Sequence, residues 1–205
     1  GPDPEARRAL LSHVFTYGAG FEGTGTLAKA GAGTLVLTGD NTYTGMTTIS
    51  AGTLRTGVNN AIAQASGVTV IANATFDLNG TSQSVATLTG AGSVLLGTNG
   101  VLRVGDTNAD STFAGSITGN GQLSKVGNGT LTLSGSSSVQ LVSATGAIPT
   151  PNGGTLRITS SGSLTAANIQ SDSTIDNAGT ITVTDEFVNF INGTGWDVHN
   201  EGINN

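Results

Sequence analysis

The chain predicts an all-β, right-handed parallel β-solenoid, a β-helix with a short capping helix at its N-terminus. Three observations carry this reading: glycine-bounded strands of three to five residues, an internal duplication, and a surface made polar by Thr, Ser and Asn instead of by charge. The 205 residues include 32 Gly and 4 Pro, with only 10% charged and 36% hydrophobic residues. Without a three-residue glycine period, collagen is excluded, and so few prolines exclude a proline-rich linker.

Thr-Leu-x-Leu stretches alternate side chains between two faces and follow glycines that can turn a corner at positive φ. Such strands run through Leu35 and Leu37, Ile49 and Leu54, Val68 and Val70, Phe76 and Leu78, Leu131 and Leu133, and Leu156 and Ile158. They are short for a two-sheet sandwich. At roughly 20 to 25 residues per coil, the chain makes about eight to ten coils and a rod on the order of 40 to 50 Å long. Leu35, Leu37, Ile49, Leu54, Leu131 and Leu133 are the expected structural core. An isolated coil buries too few aliphatic groups to offset the ordering of its backbone, so stability has to come from stacking.

Residues 23–39, GTGTLAKAGAGTLVLTG, and 119–135, GNGQLSKVGNGTLTLSG, match without a gap at ten of seventeen places. Lys29 and Lys125, the only lysines in the chain, fall at equivalent positions. The chain divides into a leader and N-terminal cap at 1–22, a repeat-bearing solenoid at 23–135, and a divergent continuation at 136–205. In the leader, Asp3 and Pro4 offer a start for a capping helix, with Leu10, Leu11 and Val14 along one face, and a frayed leader is the alternative. Around Pro149-Thr150-Pro151 the pattern loses register, and a loop is expected there. Phe187, Phe190 and Trp196 are larger apolar residues of the tail. The chain begins Gly1-Pro2, a pair that commonly remains after protease removal of a tag, and on that ground it is expected to be a piece of something longer.

A formal net charge of -6 from seven basic and 13 acidic residues disfavours nucleic acid and anionic lipid as partners. The absence of cysteine removes disulfides, thiolate catalysis and cysteine metal sites. No apolar run reaches the ~20 residues of a membrane-spanning helix, so this segment is not expected to insert in a membrane. His13 and His199 lie near the two ends, and no GxSxG elbow accompanies them. Asp106 with Asp110, and Asp172 with Asp176, are the carboxylates to weigh for calcium or glycosidic chemistry, which requires their convergence with further oxygens. No enzyme, cofactor or metal is assigned. Arg55, Arg103 and Arg157 are candidate binding residues if coil length aligns them on one face, and Trp196 is a fourth. Tyr43 invites a binding role because aromatic residues are only 4% of the chain, and a structural role is the one expected of it.

The string LAKAGAGTLVLTGDNTYTGMTTISAGTLRTG, residues 27–57, resembles the passenger-associated repeat of bacterial autotransporters through Lys29, Gly31, Gly33, Leu35, Leu37, Gly39, Asn41, Thr42, Tyr43, Gly45, Thr47, Ile49, Gly52 and Leu54. The second copy departs after Gly135, where SSSVQLV stands in place of NTYTG. The resemblance implies a passenger exported by way of a C-terminal translocator barrel in the full-length protein and displayed at the cell surface or secreted. It implies an elongated adhesin or scaffold contacting a host cell-surface protein, a glycan or another copy of itself. A released effector binding a host receptor, and a β-helical polysaccharide-active enzyme, are the alternatives.

Overall fold

The computed structural model describes residues 8–10, 14–64, 66–144, 154–171, 173–189 and 198–200. It is a parallel β-solenoid. Every recorded strand pair is parallel, and each strand pairs with its counterpart one coil away: Leu27 lies opposite Thr47, Thr47 opposite Val68, and Leu88 opposite Val68.

Three faces alternate around each coil. The first is a ten-stranded sheet that begins at Arg8–Leu10, continues through Leu27–Ala30, Thr47–Ile49, Val68–Val70 and Leu88–Gly90, and ends at Val198–Asn200. The second begins at Val14–Tyr17 and includes Thr34–Leu37, Thr53–Thr56 and Thr75–Asp77. Ser82–Val85 and Val101–Val104 open a third face. From Ser116–Lys125 onward one long strand serves both the second and third faces, with a register shift between Gly119 and Gln122 where it bends.

Alternation decides which side chains enter the interior. Leu35, Leu54, Phe76, Val94 and Ile117 occupy one register position on consecutive coils, and all are buried. Leu35, Leu37, Ile49, Leu54, Leu131 and Leu133 are each no more than 2% exposed. Stacking like residues at the ~4.8 Å strand spacing builds a continuous apolar column from repeats that are individually too small for a core.

Corners supply the backbone freedom. Gly52 has φ +63°, and a Cβ there would sit 2.3 Å from the Gly33 carbonyl oxygen. Asn60, Asn73, Asn79, Asn99 and Asn108 also take positive φ, a region that asparagine tolerates better than most residues.

The expected capping helix does not form over the described part of the leader. Ala9 pairs with Lys29, and Phe15 pairs with Leu35, so 8–10 and 14–17 extend the two sheets. An open ladder edge pairs every second backbone group of an incoming segment, which a one-turn helix cannot match. Residues 1–7 and 11–13, where the rest of that helix was expected, lie outside the described residues, as does the Pro149–Pro151 loop. Register is kept on either side of that loop. Thr130 pairs with Thr155, so this coil accommodates 25 residues where the step from Ser111 to Leu131 takes 20.

Candidate functional site

Polar groups occupy defined places in the interior and define the repeat. In the strand Leu27–Ala30 the inward positions are Leu27 and Lys29, and Lys29 is fully buried. Its Nζ donates to the carbonyls of Gly31 at 2.8 Å, Ala51 at 3.0 Å and Ala30 at 3.2 Å. The ammonium thus ties a corner to the coil above it. Burial pushes its pKa below the ordinary lysine value. Lys125 repeats the arrangement, with Nζ donating to Val126 and Gly127 at 2.7 and 2.8 Å. Its pKa is also lowered by burial, against the opposing pull of the Asp110 carboxylate.

The two lysine corners sit at different places around the coil. Lys29 leads from the first face to the second, where Thr34–Leu37 follows. Lys125 leads from the third face to the first, where Thr130–Leu133 follows. Sequence-equivalent segments are therefore not one coil unit. Each specifies a corner and its two flanking strands, wherever the corner falls.

A second polar column fills the third face of the first coils. Asn41 Oδ1 accepts from the Phe21 backbone N–H at 2.8 Å, and its Nδ2 donates to the carbonyls of Gly39 and Ala61. Two coils further on, Gln83 Oε1 accepts from Ile62 N–H, while Nε2 donates to the Val58 carbonyl. Tyr43 is fully buried, with its hydroxyl bonded to Thr47 Oγ1. Burial pushes its pKa up to about 12, while hydrogen bonds to Thr47 and Ser66 act the other way. Ser66 continues this network to the Gly45 carbonyl at 2.5 Å.

Arg55, Arg103 and Arg157 do not form one stripe. They lie on the second, third and first faces respectively, because coils differ in length and the residues occupy different points within them. Each has an aspartate neighbour. Arg55 meets Asp77 at 2.8 Å and Arg157 meets Asp176 at 2.7 Å, both across adjacent coils, and Arg103 meets Asp106 at 3.5 Å. Trp196 lies outside the described residues.

Asp106 also accepts from the hydroxyl of Ser84, and Asp110 caps the Thr130 N–H at 2.7 Å. Asp172 and His13 are outside the described residues, while His199 occupies the register position opposite Asp176. No group of three His, Cys, Asp or Glu side chains placed to hold a metal occurs among the described residues.

The outer surface of the first face carries a regular feature. Thr48, Thr69, Thr89, Thr112 and Thr132 occupy one outward register position on five consecutive coils. The Thr69 and Thr89 hydroxyls are 2.8 Å apart. Alternation gave the parity of these residues, but their alignment required coil lengths that vary along the chain.

The family model of the passenger-associated-transport-repeat matches residues 27–55 and 123–147, segments that contain Lys29 and Lys125. The chain carries two passenger-associated transport repeats. In both copies of this transport repeat, the buried lysine is the residue that closes the corner. The chain is 39% identical over 138 residues to the protein named Adhesin BmaC autotransporter of Brucella suis biovar 1 (strain 1330), covering 64% of this chain and 4% of that protein. It is 39% identical over 98 residues to the uncharacterized lipoprotein YdeK of Escherichia coli (strain K12), covering 47% and 7%. The uncharacterized protein YuaQ of the same organism is 40% identical over 85 residues, covering 41% and 6%. This transport-repeat chain thus spans less than a tenth of the length of each of these relatives. No solved structure matches this chain.

Proposed function

We propose that the chain is part of an autotransporter passenger that acts outside the bacterial cell as a rigid adhesive or scaffolding rod. The observation that carries this reading is the pair of transport repeats, each folded around the same buried lysine corner, in a chain related to an autotransporter adhesin. The fold supports it physically. A filled interior leaves the outer faces as the working surface, and the first of them presents threonine hydroxyls at one register position on successive coils. Contacts spread along such a rod act through many weak hydrogen bonds instead of one deep pocket.

Charge narrows the class of partner. Among the described side chains, both lysines are buried against carbonyls and Arg55, Arg103 and Arg157 each face an aspartate. A polyanion would find little to attract it, so a host glycan, a host surface protein of neutral character, or another copy of the rod fits better. Full-length protein would deliver the rod through a C-terminal barrel. The test is adhesion of beads coated with the folded chain to epithelial cells and to bacteria displaying the same chain. Adhesion to either, lost on heat denaturation, is the expected result. Equal retention of coated and albumin-blocked beads would overturn the reading.

A further inference from the structure

We propose that the outer surface of the first face binds an extended, uncharged polysaccharide of the β-1,4-linked type, lying along the solenoid axis with one sugar opposite each coil. The inference rests on the adhesive reading above and names the ligand class and the surface it would use.

The geometry is that of a ladder. Thr48, Thr69, Thr89, Thr112 and Thr132 stand at one register position, separated by the strand spacing of about 4.8 Å. That spacing is close to the advance per residue of a β-1,4-linked glycan. Each threonine hydroxyl offers one donor and two acceptor sites, so the bond between Thr69 and Thr89 leaves capacity for a ligand. The threonine methyls and the half-exposed Met46 and Ile71 supply apolar contact for the C–H faces of sugar rings, with Met46 Sδ accepting from the Thr69 hydroxyl.

Area and charge decide between occupants. Five coils of a strand face about 13 Å wide present on the order of 300 Å². A stable folded partner or second copy buries roughly 800 Å² per side, so this face is too narrow for one and suited to a linear chain. The column from Ala28 to Thr132 contains no ionisable residue, and it stops at Arg157, which is neutralised by Asp176 on the next coil. An acidic or sulfated polymer would gain nothing here.

The experiment is affinity electrophoresis of the folded chain in gels containing soluble cellulose-type glucan or galactomannan, with alginate and heparin as charged comparators. A Thr69→Glu/Thr112→Glu variant places charge on the ladder, and Ser93→Glu/Ser138→Glu places the same charge on the second face. Circular dichroism and denaturation midpoints establish that both fold. Retardation by a neutral polymer, weakened at least tenfold in the first variant and unchanged in the second, is expected. The proposal is overturned by retardation only in the charged polymers, by equal loss in both variants, or by no retardation in any gel. It is also overturned if Thr69→Glu/Thr112→Glu abolishes only self-association in sedimentation. Adhesion of coated beads with no retardation would remove this proposal alone, whereas beads that adhere to nothing would remove the adhesive reading itself.

Discussion

Replacing Lys29 with methionine keeps the length and apolar stem of the side chain and removes its charge and donors. Three carbonyls, those of Ala30, Gly31 and Ala51, then lose their partner. A hydrogen bond from a charged donor contributes roughly 1.5 to 3 kcal/mol, and part of this is offset because the ammonium no longer has to leave water. The three carbonyl residues are only partly buried, so water recovers some of what is lost. A net destabilisation of about 2 to 4 kcal/mol is expected. Chemical denaturation of wild type and Lys29→Met at neutral pH measures it. The pH dependence provides a second reading. Because burial lowers the folded-state pKa, the unfolded chain binds this proton more tightly between that lowered value and 10.5. The Lys29 contribution therefore makes stability rise with pH across that window, and the variant lacks that rise. A Lys29→Met protein as stable as wild type, with an unchanged pH slope, would refute the corner-tying role.

Three further outcomes test other parts of the fold. Leu131→Ala, at an interior position between Ser111 and Leu156 on adjacent coils, is expected to cost about 2 to 5 kcal/mol, whereas the outward Thr132→Ser change costs under about 0.5 kcal/mol. Urea midpoints compare them, and equal shifts would remove the inside/outside assignment. Gly52→Ala places a Cβ against two carbonyl oxygens at positive φ and is expected to lose more than about 1 kcal/mol, while Gly18→Ala, which meets only the Thr38 hydroxyl at 3.3 Å, stays near wild type in thermal melts. Tyr43, with its pKa raised from 10.0 to about 12, contributes stability that is complete below pH 10 and lost as pH rises through about 12. The two-unit shift corresponds to about 2.7 kcal/mol, and stability curves of wild type and Tyr43→Phe should diverge in that window.

Strands and corners were legible because they depend on local alternation and on glycine, both visible in a single chain. The same alternation already carried the lysine signal: in Leu27-Ala28-Lys29-Ala30, Lys29 shares the parity of Leu27 and so points inward. What sequence spacing could not supply was the position of each residue around the coil. Lys29 and Lys125 occupy equivalent places in their repeats but different faces, and Arg55, Arg103 and Arg157 are likewise spread over three faces. Coils of unequal length break any fixed residue period. Over the described part of the leader the outcome differs for a related reason: Asp3-Pro4 is a sound helix start, but Arg8–Leu10 pairs along an open ladder edge, and there long-range pairing prevails over local preference.

The most direct measurement of the coil register uses the absence of native cysteine. Thr69→Cys/Thr89→Cys places two thiols at one register position on adjacent coils, and Thr69→Cys/Thr112→Cys places them two coils apart. Adjacent parallel strands lie within the Cα separation a disulfide spans, and strands two coils apart lie at about 10 Å, beyond it. Rapid intramolecular oxidation of the first pair, with the second remaining reduced, is the result expected of the solenoid. Oxidation of the second pair as readily as the first, or failure of the first, would contradict it.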